Sequence, residues 1–111
     1  FFKSGKLKSR FYYHSGDALK SFARTSGSFD IILNDIDKES YPGVARVAPK
    51  RLRKGGLLIS DNLLKSGKVF GGGRDKATLG VRKYTKIVYR STKLWTTIVP
   101  LRDGVAVSLK L

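Results

Sequence analysis

The chain contains no cysteine, a single histidine and only eight acidic residues among its 111 positions. The lack of cysteine excludes disulfide bonds, thiolate metal sites and a cysteine nucleophile. The histidine, His14, lies in a predicted strand, where a lone histidine packs or faces solvent more often than it catalyses, and no Ser-His-Asp arrangement can be drawn. No apolar run approaches the roughly 20 residues of a membrane span. We therefore expect no membrane partner, and the absence of cysteine fits a cytoplasmic location.

Basic residues dominate what is present. The 23 lysines and arginines outweigh the acidic residues and give a formal net charge of +15. Such a charge attracts polyanions and speeds their encounter with the protein. The basic residues are spread over several predicted elements, however, and no nucleic-acid motif is present. A basic module that binds RNA or another polyanion is therefore kept as an alternative function, with nucleic acid as a less favoured partner.

Hydrophobic periodicity predicts alternating strands and helices within a single domain, residues 1–111. Strands are expected at residues 11–15, 29–34, 57–60, 94–99 and 105–109. Helices are expected to begin near Asp17, Pro42 and Asp75, and residues 63–74 are expected to form a loop. Alternation followed by a terminal hairpin indicates an α/β fold, in which a mostly parallel sheet carries an antiparallel edge.

The second predicted helix contains two features that affect its length. Pro49 removes a backbone hydrogen-bond donor, so it should kink or shorten the helix. Gly55 and Gly56 are expected to end the helix, because glycine is the usual residue just beyond a helix C-terminus. The strand at residues 57–60 would then follow directly.

Polar side chains follow two of the buried strands. Asp35 comes directly after the apolar strand in FDIILNDIDKESYP, residues 29–42, and Asp61 and Asn62 end the segment GGLLISDN. In open α/β sheets the functional crevice lies at the carboxyl ends of the strands. For either strand alone, capping is the ordinary explanation. The two together predict one divalent metal site with oxygen ligands, which suits Mg²⁺ first and Ca²⁺ or Mn²⁺ as alternatives.

Two further residues have both a structural and a functional interpretation. Lys38 follows Asp35 by three positions. Beside a dication its charged form is disfavoured, so its pKa should fall and the neutral amine could take a proton from a hydroxyl. Without the metal, Lys38 would be an ordinary surface lysine. Asp17 either caps its helix or faces a ligand from the end of the first strand.

Four segments occur in an order and at spacings that are typical of one enzyme family. They are GDAL at 16–19, FDIILNDIDKESYP at 29–42, LRKGGLLISDNLLKSGKV at 52–69 and VPLRDGVAVSLK at 99–110. From about Phe11 to its end, the chain resembles the C-terminal part of the metal-dependent, S-adenosylmethionine-using O-methyltransferases, which include catechol and caffeoyl-CoA O-methyltransferases. The resemblance implies a partial Rossmann-like methyltransferase fold with a C-terminal antiparallel hairpin.

The resemblance also implies roles for individual residues. It implies Lys38 as the general base, and the metal ligands Asp35, Asp61 and Asn62. It places the cofactor S-adenosylmethionine beside Asp17, Ala18 and Asp35. The reaction implied is methyl transfer to a hydroxyl of a small, hydroxylated aromatic substrate that the metal chelates.

The sequence departs from the family in what precedes Phe11. The family carries an upstream glycine-rich cofactor motif and N-terminal helices, and residues 1–10 are too short and too basic to supply them. We therefore expect the C-terminal portion of a class I methyltransferase domain. The strand at 29–34 would then expose an apolar edge, which invites association. A homo-oligomer or a separate upstream polypeptide is the predicted partner. Asn34 also replaces a residue that is usually apolar.

Overall fold

The computed structural model describes residues 11–111. The helices are α1 (Ala18–Arg24), α2 (Tyr41–Arg51) and α3 (Lys76–Arg90), and the strands are β1 (Phe29–Asn34), β2 (Leu52–Ser60), β3 (Leu94–Val99) and β4 (Val105–Lys110). Short 3₁₀ turns cover Lys38–Ser40 and Lys65–Phe70. Residues 1–10, which we expected not to supply the upstream motif, lie outside the described part of the chain.

The four strands form one sheet in the order β1-β2-β4-β3. The β1 and β2 strands are parallel, whereas β4 is antiparallel both to β2 and to β3. The predicted α/β fold and the C-terminal hairpin are confirmed. Within residues 11–111 the sheet is mixed rather than mostly parallel, because the hairpin places β4 next to β2 and contributes two antiparallel pairings to a single parallel one.

Two helices cover one face of the sheet and form the core with it. The helix α3, which was predicted to begin near Asp75, buries Val81, Tyr84 and Val88, and Asp75 accepts from the Thr78 N–H as the N-cap. The rings of Tyr41, in α2, and Tyr84 meet edge to face with their centroids 5.3 Å apart. The buried apolar core is completed by Val44, Ala45, Ala48, Leu52, Leu58, Leu63, Leu94 and Ala106.

Three local predictions need correction. Residues 11–15 are not a strand, and all five are exposed, because no strand of the described chain lies beside them to complete a hydrogen-bonded ladder. The second helix ends at Arg51, two residues after Pro49, and not at Gly55–Gly56. Those glycines lie inside β2, where the register with β1 shifts. The predicted loop at 63–74 contains the 3₁₀ turns of Lys65–Phe70.

Among residues 11–111, no element covers the opposite face of the sheet, which is apolar. The register aligns Ile31, Leu57, Leu109 and Trp95 in one row across the four strands. Ile31 is 59% exposed and Leu33, two residues further along the edge strand β1, is 72% exposed. The predicted exposed apolar edge is therefore present. None of the helices within residues 11–111 is long and apolar enough to cross a bilayer.

Candidate active site at the carboxyl ends of two parallel strands

The carboxyl ends of β1 and β2 lie side by side. Asn34 pairs with Ser60 in the parallel register, and the Asp61 N–H donates to the Asn34 carbonyl at 3.2 Å. Asp35 and Asp61, each one residue beyond its strand, therefore leave the same edge of the sheet from adjacent positions. The parallel pairing of two apolar strands produces this arrangement, as the sequence predicted.

The donors near this edge suit a hard divalent cation. The side chain of Asp35 is 61% exposed, and Asp61 and Asn62 are half-buried. One oxygen of Asp61 accepts the Asn62 N–H at 2.7 Å, which orients this carboxylate. No group of three His, Cys, Asp or Glu side chains that could hold a metal occurs within residues 11–111. A cation here would depend on two carboxylates, one amide and water, a donor set that fits Mg²⁺.

Lys38 is held at the same edge by two hydrogen bonds. Its Nζ donates to Asp35 Oδ1 at 2.8 Å and to the Tyr41 hydroxyl at 2.7 Å. Its side chain is only 14% exposed. The 3₁₀ turn at Lys38–Ser40 brings the lysine back over the strand end that it follows. Lys38 is therefore fixed in position and is not a freely moving surface lysine.

Burial and hydrogen bonding act in opposite directions on Lys38. Burial lowers the pKa of its ammonium, but the hydrogen bonds to Asp35 and Tyr41 raise it, and the net result is a pKa above the ordinary lysine value. The predicted lowering refers to the protein with a divalent cation bound and stays a prediction. Burial likewise raises the pKa of the Tyr41 hydroxyl, although the contact with Lys38 opposes this.

A cavity of about 360 Å³ opens beside Asp35. It is lined by Asp17 and Ala18, at the start of α1, and by Asp35 and Asp37 after β1. Asp17 caps α1 by accepting the Lys20 N–H at 2.8 Å. The structure therefore brings together the three residues for which a cofactor contact was predicted. Asp17 also caps α1, so both interpretations of this residue are compatible.

Sequence reasoning missed the contribution of Tyr41. This side chain is fully buried, and its hydroxyl donates to the Asp61 carbonyl at 2.8 Å while it accepts from Lys38. It thus links the end of β2 to the lysine that follows β1. Its position three residues after Lys38, on the same side of one helical turn, was the available signal. The partner across the sheet could not be read from local spacing.

The comparisons with known proteins agree on one family. A family model described as O-methyltransferase matches residues 2–111. Catechol O-methyltransferase domain-containing protein 1 from Mus musculus is 30% identical over 90 residues, which cover 80% of this chain and 34% of that protein. The chain spans 34% to 41% of the length of five curated relatives.

Solved structures share the fold. A Klebsiella pneumoniae protein assigned as an O-methyltransferase superimposes with a TM-score of 0.86 at 27% identity, and the match covers 94% of this chain and 51% of that one. The O-methyltransferase from Bacillus cereus, solved in complex with SAH, gives a TM-score of 0.79 at 23% identity, covering 88% of this chain and 49% of that one. At that lower identity, the likeness shows the fold alone.

Proposed function

Because this chain belongs to the O-methyltransferase family, we propose that it transfers a methyl group from S-adenosylmethionine to a hydroxyl of a catechol-like acceptor that is chelated by a divalent cation. The observation that carries the proposal is that the candidate metal ligands and the candidate cofactor cavity lie at the same edge of the sheet. The carboxylates of Asp35 and Asp61 leave adjacent strand ends, and the cavity beside Asp35 also borders Asp17 and Ala18.

The oxygens of Asp35, Asp61 and Asn62 would hold the cation. Mg²⁺ suits them best, and Ca²⁺ or Mn²⁺ are alternatives of the same hard-oxygen class. A cation bound there would supply Lewis acidity toward an acceptor hydroxyl. The exposed carboxylate of Asp35 leaves room on its open side for an acceptor, because Lys38 contacts only one of its two oxygens in the structure.

Lys38 is the proposed general base. With a cation bound, the pKa of Lys38 is expected to fall, and the neutral amine would take the proton of the acceptor hydroxyl on its nitrogen lone pair. Its N–H groups would keep donating to Asp35 and Tyr41, which hold it beside the strand end. Tyr41 is fixed in turn by the Asp61 carbonyl. These contacts support a base that is positioned before the acceptor arrives, and such positioning lowers the entropic cost of the transfer.

Asp17 and Ala18 are the proposed contacts of the cofactor's adenine, with Asp35 on the other side of the cavity. Membership of the O-methyltransferase family supports a methyl-donor cofactor, and the name of the mouse relative supports a catechol-like acceptor. The open apolar face of the sheet supports a partner that covers it. That partner is a second copy of the chain or a separate polypeptide.

A methyl-transfer assay with the Asp61→Asn variant tests the proposal. Methyl transfer from S-adenosylmethionine to catechol should require Mg²⁺ in the wild type and stop when the metal is chelated. Asp61→Asn keeps the side-chain size but removes one charged ligand, so the Mg²⁺ concentration for half-maximal transfer should rise by about tenfold or more.

The matched control is Glu39→Gln, which makes the same charge change at an exposed position outside the proposed ligand set. It should leave the magnesium dependence unchanged. An identical magnesium titration for wild type and Asp61→Asn would remove Asp61 from the metal site. Wild-type transfer that persists in excess chelator would contradict the metal-assisted mechanism as a whole.

A further inference from the structure

One arginine holds most of the segment that follows the proposed metal ligands. Arg82, on α3, donates through Nε to the Val69 carbonyl at 3.1 Å and through Nη1 to the Gly73 carbonyl at 2.8 Å. Its Nη2 donates to the Lys68 carbonyl at 3.2 Å and also to the carbonyl of Gly71. A guanidinium has five N–H donors in a planar fork, so this single side chain serves four backbone acceptors at once.

Within segment 68–73, residues 68–70 belong to a 3₁₀ turn, and the Gly71 N–H donates to the Lys68 carbonyl at 3.3 Å. The chain before it turns through left-handed conformations at Lys65, Ser66 and Gly67. The Ser66 N–H is fixed by Asp103 at 2.7 Å, in the turn between β3 and β4. Asp103 therefore holds the start of the loop, and Arg82 holds its second half. Each anchor comes from a different element of the fold.

The held segment closes one side of an apolar cavity of about 240 Å³. Val69 and Phe70 line it from the segment, and Leu63, Ile98 and the Arg82 side chain line it from the rest of the fold. Leu63, which lines the cavity, directly follows the proposed ligand Asn62 in the chain. Phe70 is 80% exposed, which leaves a large aromatic surface available for contact.

We propose that Arg82 is a positioning residue, which fixes segment 68–73 as the wall against which an apolar or aromatic part of the methyl acceptor binds. The acceptor role rests on the function proposed above. Arg82 does not contact the cofactor cavity, whose lining comes from residues 16–19 and the chain after β1. Its loss should therefore weaken acceptor binding and leave cofactor binding as it is.

The first test is limited trypsin digestion of the folded wild type and of Arg82→Gln, followed by mass spectrometry. Lys68 lies inside the held segment, and although its side chain is exposed, trypsin can cleave after it only when the surrounding backbone opens into the active site of the protease. Without the four hydrogen bonds, cleavage after Lys68 should be faster by about tenfold or more. Lys83→Gln is the matched control, because it removes the same charge from the next, exposed residue of α3.

The second test separates the two substrates kinetically. The KM for catechol should rise by about tenfold in Arg82→Gln, while the KM for S-adenosylmethionine stays within about twofold of the wild type. Arg82→Lys keeps the charge but lacks the planar fork, so it should show a smaller change of the same kind. Arg82→Lys also keeps the test valid if the glutamine variant does not fold.

The outcomes distinguish this inference from the proposed function. Equal rates of cleavage after Lys68 in the wild type and both Arg82 variants would overturn the proposal that Arg82 holds segment 68–73. Faster cleavage with an unchanged KM for catechol, or with both KM values raised equally, would overturn the acceptor role. A wild type that transfers no methyl group to catechol contradicts the proposed function and with it the acceptor role. The cleavage result does not depend on that function, and it tests separately whether Arg82 holds segment 68–73.

Discussion

A short chain of buried polar side chains lies directly beneath the proposed site. The Asn34 amide donates to the Ser60 hydroxyl at 3.0 Å, and that hydroxyl lies 2.6 Å from the hydroxyl of Tyr84. The Asn34 side-chain oxygen is buried and has no hydrogen-bond partner among the described residues. A buried acceptor without a partner costs about 1–3 kcal/mol. The amide side chain of Asn34 is thus only partly accommodated in this buried position.

Tyr84 should make the fold sensitive to alkaline pH. Burial raises its pKa to about 12, although the hydrogen bond with Ser60 acts in the opposite direction. The folded protein therefore keeps this proton when the unfolded chain loses it. The contribution of Tyr84 to the free energy of unfolding is complete below pH 10 and is lost as the pH rises toward 12. The total loss is on the order of 2 kcal/mol. Urea unfolding at pH 9, 10 and 11 measures it.

Tyr84→Phe tests this prediction, and Tyr89→Phe is its control. Tyr89 lies on the same helix but is 52% exposed. The fall in the free energy of unfolding between pH 9 and 11 should be smaller in Tyr84→Phe and unchanged in Tyr89→Phe. An equal fall in wild type and Tyr84→Phe would show that Tyr84 does not carry this pH dependence.

At the scale of elements, α3 packs closely against the turn that carries the proposed base. Gly80 lies against the backbone of Lys38, and a Cβ at that position would overlap the Lys38 carbonyl oxygen and come within 3.0 Å of the Glu39 Cα. Because the obstacle is backbone, it cannot move aside as a flexible side chain can. The position of Lys38 therefore depends on a residue without a side chain 42 positions later.

Gly80→Ala should destabilise the protein and displace the Lys38 turn. Overpacking of this kind costs roughly 1–3 kcal/mol, and the loss should appear as a lower urea midpoint together with reduced methyl transfer. Gly72→Ala is the control for stability, because a Cβ there meets nothing within 4 Å. Equal stability of the two alanine variants would mean that α3 and the turn are not packed as described.

Local pattern was sufficient for the elements that have their own periodicity. The apolar strand β1, the C-terminal hairpin and the helix that begins near Asp75 were all predicted from the sequence. The strand at 11–15 was not found, because strand propensity is realised only beside a hydrogen-bonded neighbour. The helix end at Arg51 was misplaced, since the glycines at 55 and 56 serve a register shift in β2 and not a helix stop.

The same limit applies to the site. Asp35, Asp61 and Lys38 were predicted because strand ends and motif spacing are local features of the sequence. Tyr41 and Arg82 were not, because each acts through backbone carbonyls that lie 9 to 20 residues away in the chain. Backbone acceptors carry no signature in the sequence. Contacts of that kind are visible only once the fold is known.

At the scale of the whole molecule, a net charge of +15 is combined with an open apolar sheet face. Like charge on every copy opposes association at low ionic strength, and salt screens that repulsion. The apolar face favours association under all conditions. We therefore expect the self-association of the isolated chain to increase with salt concentration.

Leu33→Lys should reduce this association. Leu33 is 72% exposed in the edge strand β1, and a charge there interrupts the apolar face. Light scattering at 0.5 M salt should give a mass above that of one chain for the wild type and a lower mass for the variant. Leu79→Lys, on α3 at 47% exposure, is the control and should behave as the wild type. A wild type that remains monomeric at every concentration would contradict the prediction.

The proposal that Asp35, Asp61 and Asn62 share one cation is tested most directly by a Mn²⁺ titration followed by NMR. This paramagnetic ion broadens the amide signals of residues close to it. The signals of Asp35, Asp61 and Asn62 should broaden together at substoichiometric metal, before those of Asp30 and Asp75, two acidic residues outside the proposed site. If broadening begins at those other carboxylates, or spreads evenly over all of them, the three proposed ligands do not share a cation.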